Sequence, residues 1–170
     1  MATIMQPTLS TGGISSDSFL HLQTKRAGKI KGEATNPGQT DDIIVLGWRW
    51  GLDASTAVTD KNERRSYTAL TIYKHIDRAT TGLMSALVVN DEVKEAKLTL
   101  RRAGGTQEIY FTVKLETARV VSVHHETDSD GHPREAVSIV FTKVTAEYTP
   151  QQSSGLGSGS TSFTDEIRRT

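Results

Sequence analysis

Side chains able to ligate a metal crowd the nine-residue stretch HHETDSDGH, among them His124, His125, Asp128, Asp130 and His132. Imidazole and carboxylate are the donors that zinc and calcium take, but this spacing matches neither an EF-hand loop nor two histidines one helical turn apart. Asp and Gly are also what a hairpin reversal needs, since they hydrogen-bond their own backbone or accept positive φ. A solvated turn is expected here, with no metal. Glu33 and Asp41 could be paired as acid and base, yet any set of twenty acidic residues yields such pairs. A nucleophilic serine requires a strand-turn-helix elbow, and GLGSGS at 155–160 has no strand before it. RAGGTQE at 102–108 lacks the lysine and the following helix of a phosphate loop. The absence of cysteine excludes disulfides, thiolate zinc sites, iron-sulfur clusters and a cysteine nucleophile together. No catalytic residue and no cofactor is expected, and the chain does not read as an enzyme.

The elements that would carry these residues have a period of two more often than 3.6. EIYFTVKLE sets Ile109, Phe111, Val113 and Leu115 on one face against Glu108, Tyr110, Thr112, Lys114 and Glu116 on the other, a half-buried strand. KEAKLTLR alternates likewise through Ala96, Leu98 and Leu100, and the glycines between these runs suit a hairpin. TARVVSVHH and REAVSIVFTKVTAEY flank the polar turn TDSDGHP. In the latter run Val137, Ile139 and Phe141 share one phase and Val144, Ala146 and Tyr148 the other, so a bulge or a bend between sheets is expected near Thr142. SYTALTIYKHI is apolar on both sides, with Leu70 and Ile72 against Tyr67, Ala69, Thr71 and Tyr73. One segment differs: TTGLMSALVVN spaces Leu83 and Leu87 at i,i+4 beside Ala86, with Asn90 after it, a helix of two to three turns. One helix among about eight strand-like runs predicts a mainly β fold, a β-barrel of two packed antiparallel sheets with one α-helix.

Lys plus Arg equals Asp plus Glu at 20 each, so no whole-molecule field draws the chain to nucleic acid or an anionic bilayer. Residues 1–16 are small and polar, without the basic start and apolar run of a secretory signal, and are expected to form a flexible lead. Residues 17–150 form the expected barrel domain, and the Ser/Gly-rich 151–170 a flexible tail. No membrane insertion of its own is expected.

Four blocks carry a resemblance: IKGEATNPGQTDDIIVLGWRWGLD, IYKHIDRATTGLMSAL, AKLTLRRAGGTQEIYFTVKLETARVVSV and EAVSIVFTKVTAEYTPQ. In order and wording the chain resembles the Hcp (hemolysin-coregulated protein) family, the tube proteins of the bacterial type VI secretion system. The resemblance spans residues 17–151 and implies a fold like that of phage tail-tube subunits, closing into a homohexameric ring. It also implies stacked rings inside a contractile sheath, contacts with spike and baseplate proteins, and effector proteins carried in the lumen. Assembly would be cytoplasmic, followed by secretion through the apparatus without a signal peptide. A phage tail-tube or other contractile-injection subunit is the alternative, and a metal-binding or hydrolytic barrel built on HHETDSDGH a third. In DRATTGL, Thr81 stands where the family often has a proline, so the first helical turn loses a preorganised residue.

Two expectations concern contacts. Trp48 and Trp50 alternate in phase with Ile44 and Leu46, so these indoles are expected either to line the barrel core or to lie where neighbouring subunits meet. LDASTAVTDKNERRS, residues 52–66, is long for a hairpin connection and carries Asp53, Asp60, Lys61, Glu63, Arg64 and Arg65. The resemblance implies that this loop projects along the tube axis and meets the next ring.

Overall fold

The computed structural model describes residues 16–55, 58, 65–102, 108–150 and 159–167. The expected stacking residues Asp60, Lys61, Glu63 and Arg64 lie outside the described residues, as do nearly all of the expected N-terminal lead and residues 151–158 and 168–170 of the expected tail.

Eleven strands and one helix are present among the described residues: β1 (Ser16–Thr24), β2 (Gly28–Lys29), β3 (Ile43–Val45), β4 (Gly47–Arg49), β5 (Leu52–Ala54), β6 (Arg65–Tyr67), β7 (Leu70–Lys74), α1 (Thr80–Val88), β8 (Val93–Arg102), β9 (Ile109–Thr127), β10 (Pro133–Tyr148) and β11 (Thr161–Glu166). Nine strands form one antiparallel sheet along the path β2-β1-β8-β9-β10-β7-β4, with β3 on β1 and β11 on β10, while β5 and β6 make a separate two-stranded ribbon. β3 lies on β1 and β4 on β7, and only Leu46 separates them, its amide donating to the Tyr73 carbonyl at 2.8 Å. One short run thus carries the chain from β1, near one end of the path, to β4 at the other end, without a ladder between β3 and β4.

Period-two alternation places Leu20 and Leu22 of β1, Leu98 of β8, Val113 and Leu115 of β9, and Val137 and Ile139 of β10 inside, all fully buried. The phase change expected near Thr142 is present on both long strands. Buried positions run to Phe141 and resume at Val144 on β10, and run from Leu115 to Ala118 on β9, where Thr117 takes φ 49°. The extra residue lies elsewhere: Ser138 pairs with Ser122 but Ile139 with Val120, which leaves Val121 as the bulge. Two long strands thereby bend together over one core.

Helix α1 buries Leu83 and Ala86 and leaves Met84 and Val88 exposed, the face expected from its spacing, and Asn90 after it adopts φ 53°. Its first turn has no side-chain cap of the usual kind, because Ala79 occupies that position. A buried polar network replaces it. Thr80 accepts from the Asp77 amide at 3.0 Å and donates its hydroxyl to Glu135 Oε2 at 2.7 Å, and Asp77 Oδ1 accepts from the Ala79 amide at 2.8 Å. The turn without a proline is held from the sheet.

The C-terminal segment departs from the expected flexible tail. Residues Thr161–Glu166 pair with Lys143–Tyr148 in unbroken antiparallel register. Composition misses this strand because ladder bonds are made by the backbone, and β10 beyond Ile139 offers a free edge that β7 does not reach.

Candidate functional site

The clearest structural candidate for a contact with something outside the barrel is the ribbon β5–β6. Leu52, Asp53 and Ala54 pair with Tyr67, Ser66 and Arg65, and all six side chains except the half-buried Tyr67 are exposed. Asp53 and Arg65, the two expected stacking residues that are described, therefore sit one register step apart on the same exposed element. A two-stranded ribbon alone is only marginally stable in water, so its base must be held.

That base is aromatic. Trp50 stacks on Tyr67 at 6.1 Å between ring centroids, and Tyr67 meets Phe141 edge-on at 5.4 Å. The Tyr67 hydroxyl donates to Asp165 Oδ2 at 2.6 Å, and Arg65 pairs with the same oxygen. Burial, followed by the hydrogen bond to Asp165, pushes the Tyr67 phenol up to about 12. The Tyr67 hydrogen bond also holds the Asp165 carboxyl below the usual carboxylate range, against the opposing effect of burial and with help from Arg65. A carboxylate lowered in the folded state stabilises it above the ordinary carboxylate pKa, and that contribution is lost as pH falls through the lowered value.

Trp48 and Trp50 do not share a face with Ile44 and Leu46. Ile43 and Val45 point into the core, whereas Ile44 and Leu46 are 42% and 45% exposed. Trp48 pairs in register with the buried Ile72 and stacks on Phe111 at 6.3 Å. The inward phase switches where the chain leaves β1 for β7 at Leu46 and Gly47, so period two cannot be carried across that point. Both indoles are half-buried against the core, and the outward apolar pair is Ile44 and Leu46.

The histidine-rich stretch divides into unrelated environments. Asp128, Asp130 and His132 bring one ligand atom each within 4.8 Å of one another. Asp128 is already occupied by its own turn, with Oδ1 accepting from the Asp130 and His132 amides at 3.0 and 2.9 Å and Oδ2 from Arg134 at 3.1 Å. The His132 amide, ahead of opposing burial and then the Asp130 amide and Arg134, leaves this carboxyl below its ordinary pKa. His124 and His125 are both exposed at the surface, but His125 Nε2 lies 3.1 Å from Oε2 of the fully buried Glu135. His125 therefore serves the interior rather than the turn. Replacing His124 and His132 by Ala should change the unfolding free energy, read from urea denaturation, by under about 0.5 kcal/mol. His125→Ala, which strips one partner from Glu135 Oε2 but leaves the Thr80 hydroxyl on it, should cost about 0.5–1.5 kcal/mol. Equal effects of the three would contradict this division. Glu33 and Asp41 are separately engaged, Glu33 accepting from the Arg78 amide at 3.1 Å and Asp41 facing Lys31 at 3.8 Å.

The sequence model described as "Type VI secretion system effector, Hcp" matches residues 19–148. Protein hcp1 of Pseudomonas aeruginosa is 31% identical over 141 residues, covering 79% of this chain and 86% of the relative. Among solved structures, a double variant of Hcp1 from E. coli EAEC 042 aligns with a TM-score of 0.75 at 22% identity, over 88% of this chain and 98% of that one. A type VI secretion system effector from Yersinia pestis aligns at 0.71 and 24% identity, over 89% and 100%. With the barrel, the single helix and the matched span agreeing, the chain belongs to the Hcp family, the tube proteins of the type VI secretion system.

Proposed function

We propose that the protein works as a homohexameric ring whose copies stack into a hollow tube, is expelled by sheath contraction together with spike and baseplate partners, and carries effector proteins in its lumen. Its role on this proposal is structural rather than catalytic, and it leaves the cytoplasm through the apparatus rather than by a signal peptide. The observation that supports the proposal is the β5–β6 ribbon, an element that has no further ladder partner among the described residues and leaves Leu52 49% exposed, a surface suited to contact with another molecule. Lateral contact needs two different patches on one subunit, since a ring interface is heterologous. Ile44 on β3 and Leu46 just after it supply one, and Tyr148 with Phe163 on β10 and β11, 44% and 43% exposed, supply the other. The barrel domain is proposed to extend through β11 rather than to end at residue 150.

Light scattering of the purified protein should give six times 18.6 kDa at micromolar concentration, and negative-stain images should show closed rings. Ring-on-ring stacking should fall as salt rises, because opposite charges fix rotational register only when unscreened. Arg64→Glu should weaken stacking and secretion and leave the hexamer intact. A persistent monomer would refute the ring, and normal stacking of the variant would refute the ribbon's role.

A further inference from the structure

Asp165 lies about 100 residues along the chain from the ribbon it touches. On β11 it is the single side chain of Thr161–Glu166 that is not exposed. Its Oδ2 takes both the Tyr67 hydroxyl at 2.6 Å and the Arg65 guanidinium, and Arg65 Nη2 reaches the Glu166 carbonyl at 3.3 Å. Beyond it, the Ile167 amide donates to the Thr142 carbonyl at 2.6 Å, and Ile167 packs against the core. β11 is thus fixed to the barrel on both sides of Asp165, by its ladder with β10 and by this final bond. Among the described residues the ribbon shares no ladder with the nine-stranded sheet. Its root is steered instead by the Gly51–Thr68 bonds, by the stack of Trp50, Tyr67 and Phe141, and by Asp165.

We infer that Asp165 is a positioning residue which sets the direction in which the β5–β6 ribbon leaves the barrel, making the C-terminal strand the fixed reference for the surface offered to the next ring. This rests on the ribbon's proposed contact with that ring. An aromatic stack alone tolerates sliding and tilting, whereas a carboxylate accepting from two donors on one strand fixes both a distance and a rotation. Arg65 and Tyr67 lie two residues apart on β6 and so share a face, and both side chains reach Asp165 from it, although Arg65 keeps part of its surface in solvent. Arg65 consequently belongs to the ribbon's anchorage, and Asp53, out of phase with it, is the described charge the ribbon has left to offer the next ring.

The test compares Asp165→Ala, Asp165→Asn and Tyr67→Phe in the full chain, followed by amide exchange at 52–54 and 65–67, light scattering and ring stacking. Asp165→Ala should speed exchange in the ribbon about tenfold or more while β8, β9 and β10 keep their protection and the hexamer persists. Tyr67→Phe keeps the ring packing and removes one donor, so it should have a smaller effect that does not add to that of Asp165→Ala. Asp165→Asn, which retains an acceptor and the side-chain shape, should fall between wild type and Ala. The stacked fraction should drop in the same order. Unchanged ribbon exchange in Asp165→Ala would overturn the inference, as would additive effects of the two replacements or dissociation to monomers with a quiet ribbon. Faster ribbon exchange with undiminished stacking would uphold the positioning role and refute the ribbon's contact with the next ring, which Arg64→Glu checks independently.

Discussion

Lys74→Met should be the most damaging single replacement of a polar residue, costing about 3–5 kcal/mol and lowering the urea midpoint accordingly. Lys74 and Glu135 are both fully buried, and they are direct cross-strand partners on β7 and β10. The ammonium lies 3.1 Å from Glu135 Oε1 and 2.8 Å from Asp77 Oδ1, and donates to the His75 carbonyl at 2.9 Å. One cation thus serves two carboxylates that have little or no access to water. Removing it leaves two like charges in one dry site, and both desolvation and repulsion then oppose folding. Glu135→Gln should be far milder, since Lys74 keeps Asp77 and the amide can still accept from Thr80. Glu135→Ala should fall between them, because it opens a void and frees the Thr80 hydroxyl as well. The order Met at 74, Ala at 135, Gln at 135 is the informative result. If Lys74→Met unfolded with the wild-type midpoint, the pair would have to be solvated.

This network was open to a stricter use of the same alternation that located the strands. Leu70, Ile72 and Lys74 share a phase, as do Glu135, Val137 and Ile139, so each core face ends on a charge, and the two charges are opposite. Antiparallel pairing of the two runs sets them side by side. What the sequence conceals is the register, without which a terminal charge reads as the solvated end of a strand. The helix was legible because i,i+4 spacing is local, and the paired strands flanking TDSDGHP because their alternation is clean. The tryptophan stripe misled because β3 and β4 pair with different strands, and a two-residue period holds only within one ladder. β11 was hidden for another reason: TSFTDE has no buried face apart from Asp165, so no periodicity marks it, and its stability comes from backbone bonds to an edge that is formed about 20 residues upstream. The stacking role proposed for the ribbon rests on loop length and resemblance, and its anchorage at Asp165 left no local signal at all.

Gly32→Ala should cost more than the 1–3 kcal/mol typical of an overpacked core, although it adds a single methyl group. A Cβ at Gly32 would lie 2.6 Å from the Ile43 Cα and closer still to the Asp42 carbonyl oxygen, both backbone atoms that no rotamer change can move. The two chain segments are bound tightly there: the Gly32 amide donates to the Asp41 carbonyl at 2.8 Å, Ala34 to Asp42 at 3.0 Å and Asp41 to Ala34 at 2.9 Å. Relief requires moving residues 41–43, yet Asp41 already holds φ 62° and Ile43 is fully buried opposite Leu20 on β1. Two other glycines separate this clash from the general effect of losing glycine. Gly38→Ala meets nothing within 4 Å but has φ +80°, so strain alone should cost about 1–2 kcal/mol. Gly47→Ala meets only the Tyr73 ring at 3.7 Å, ordinary contact, and should be nearly neutral. Urea unfolding with a constant slope measures all three, and a Gly32→Ala midpoint no lower than that of Gly38→Ala would disprove the clash. Because the displaced residues lead into β3, the outward side chains of Ile44 and Leu46 should move with them. On the proposed lateral contact, Gly32→Ala rings should then dissociate at temperatures where β8, β9 and β10 remain folded.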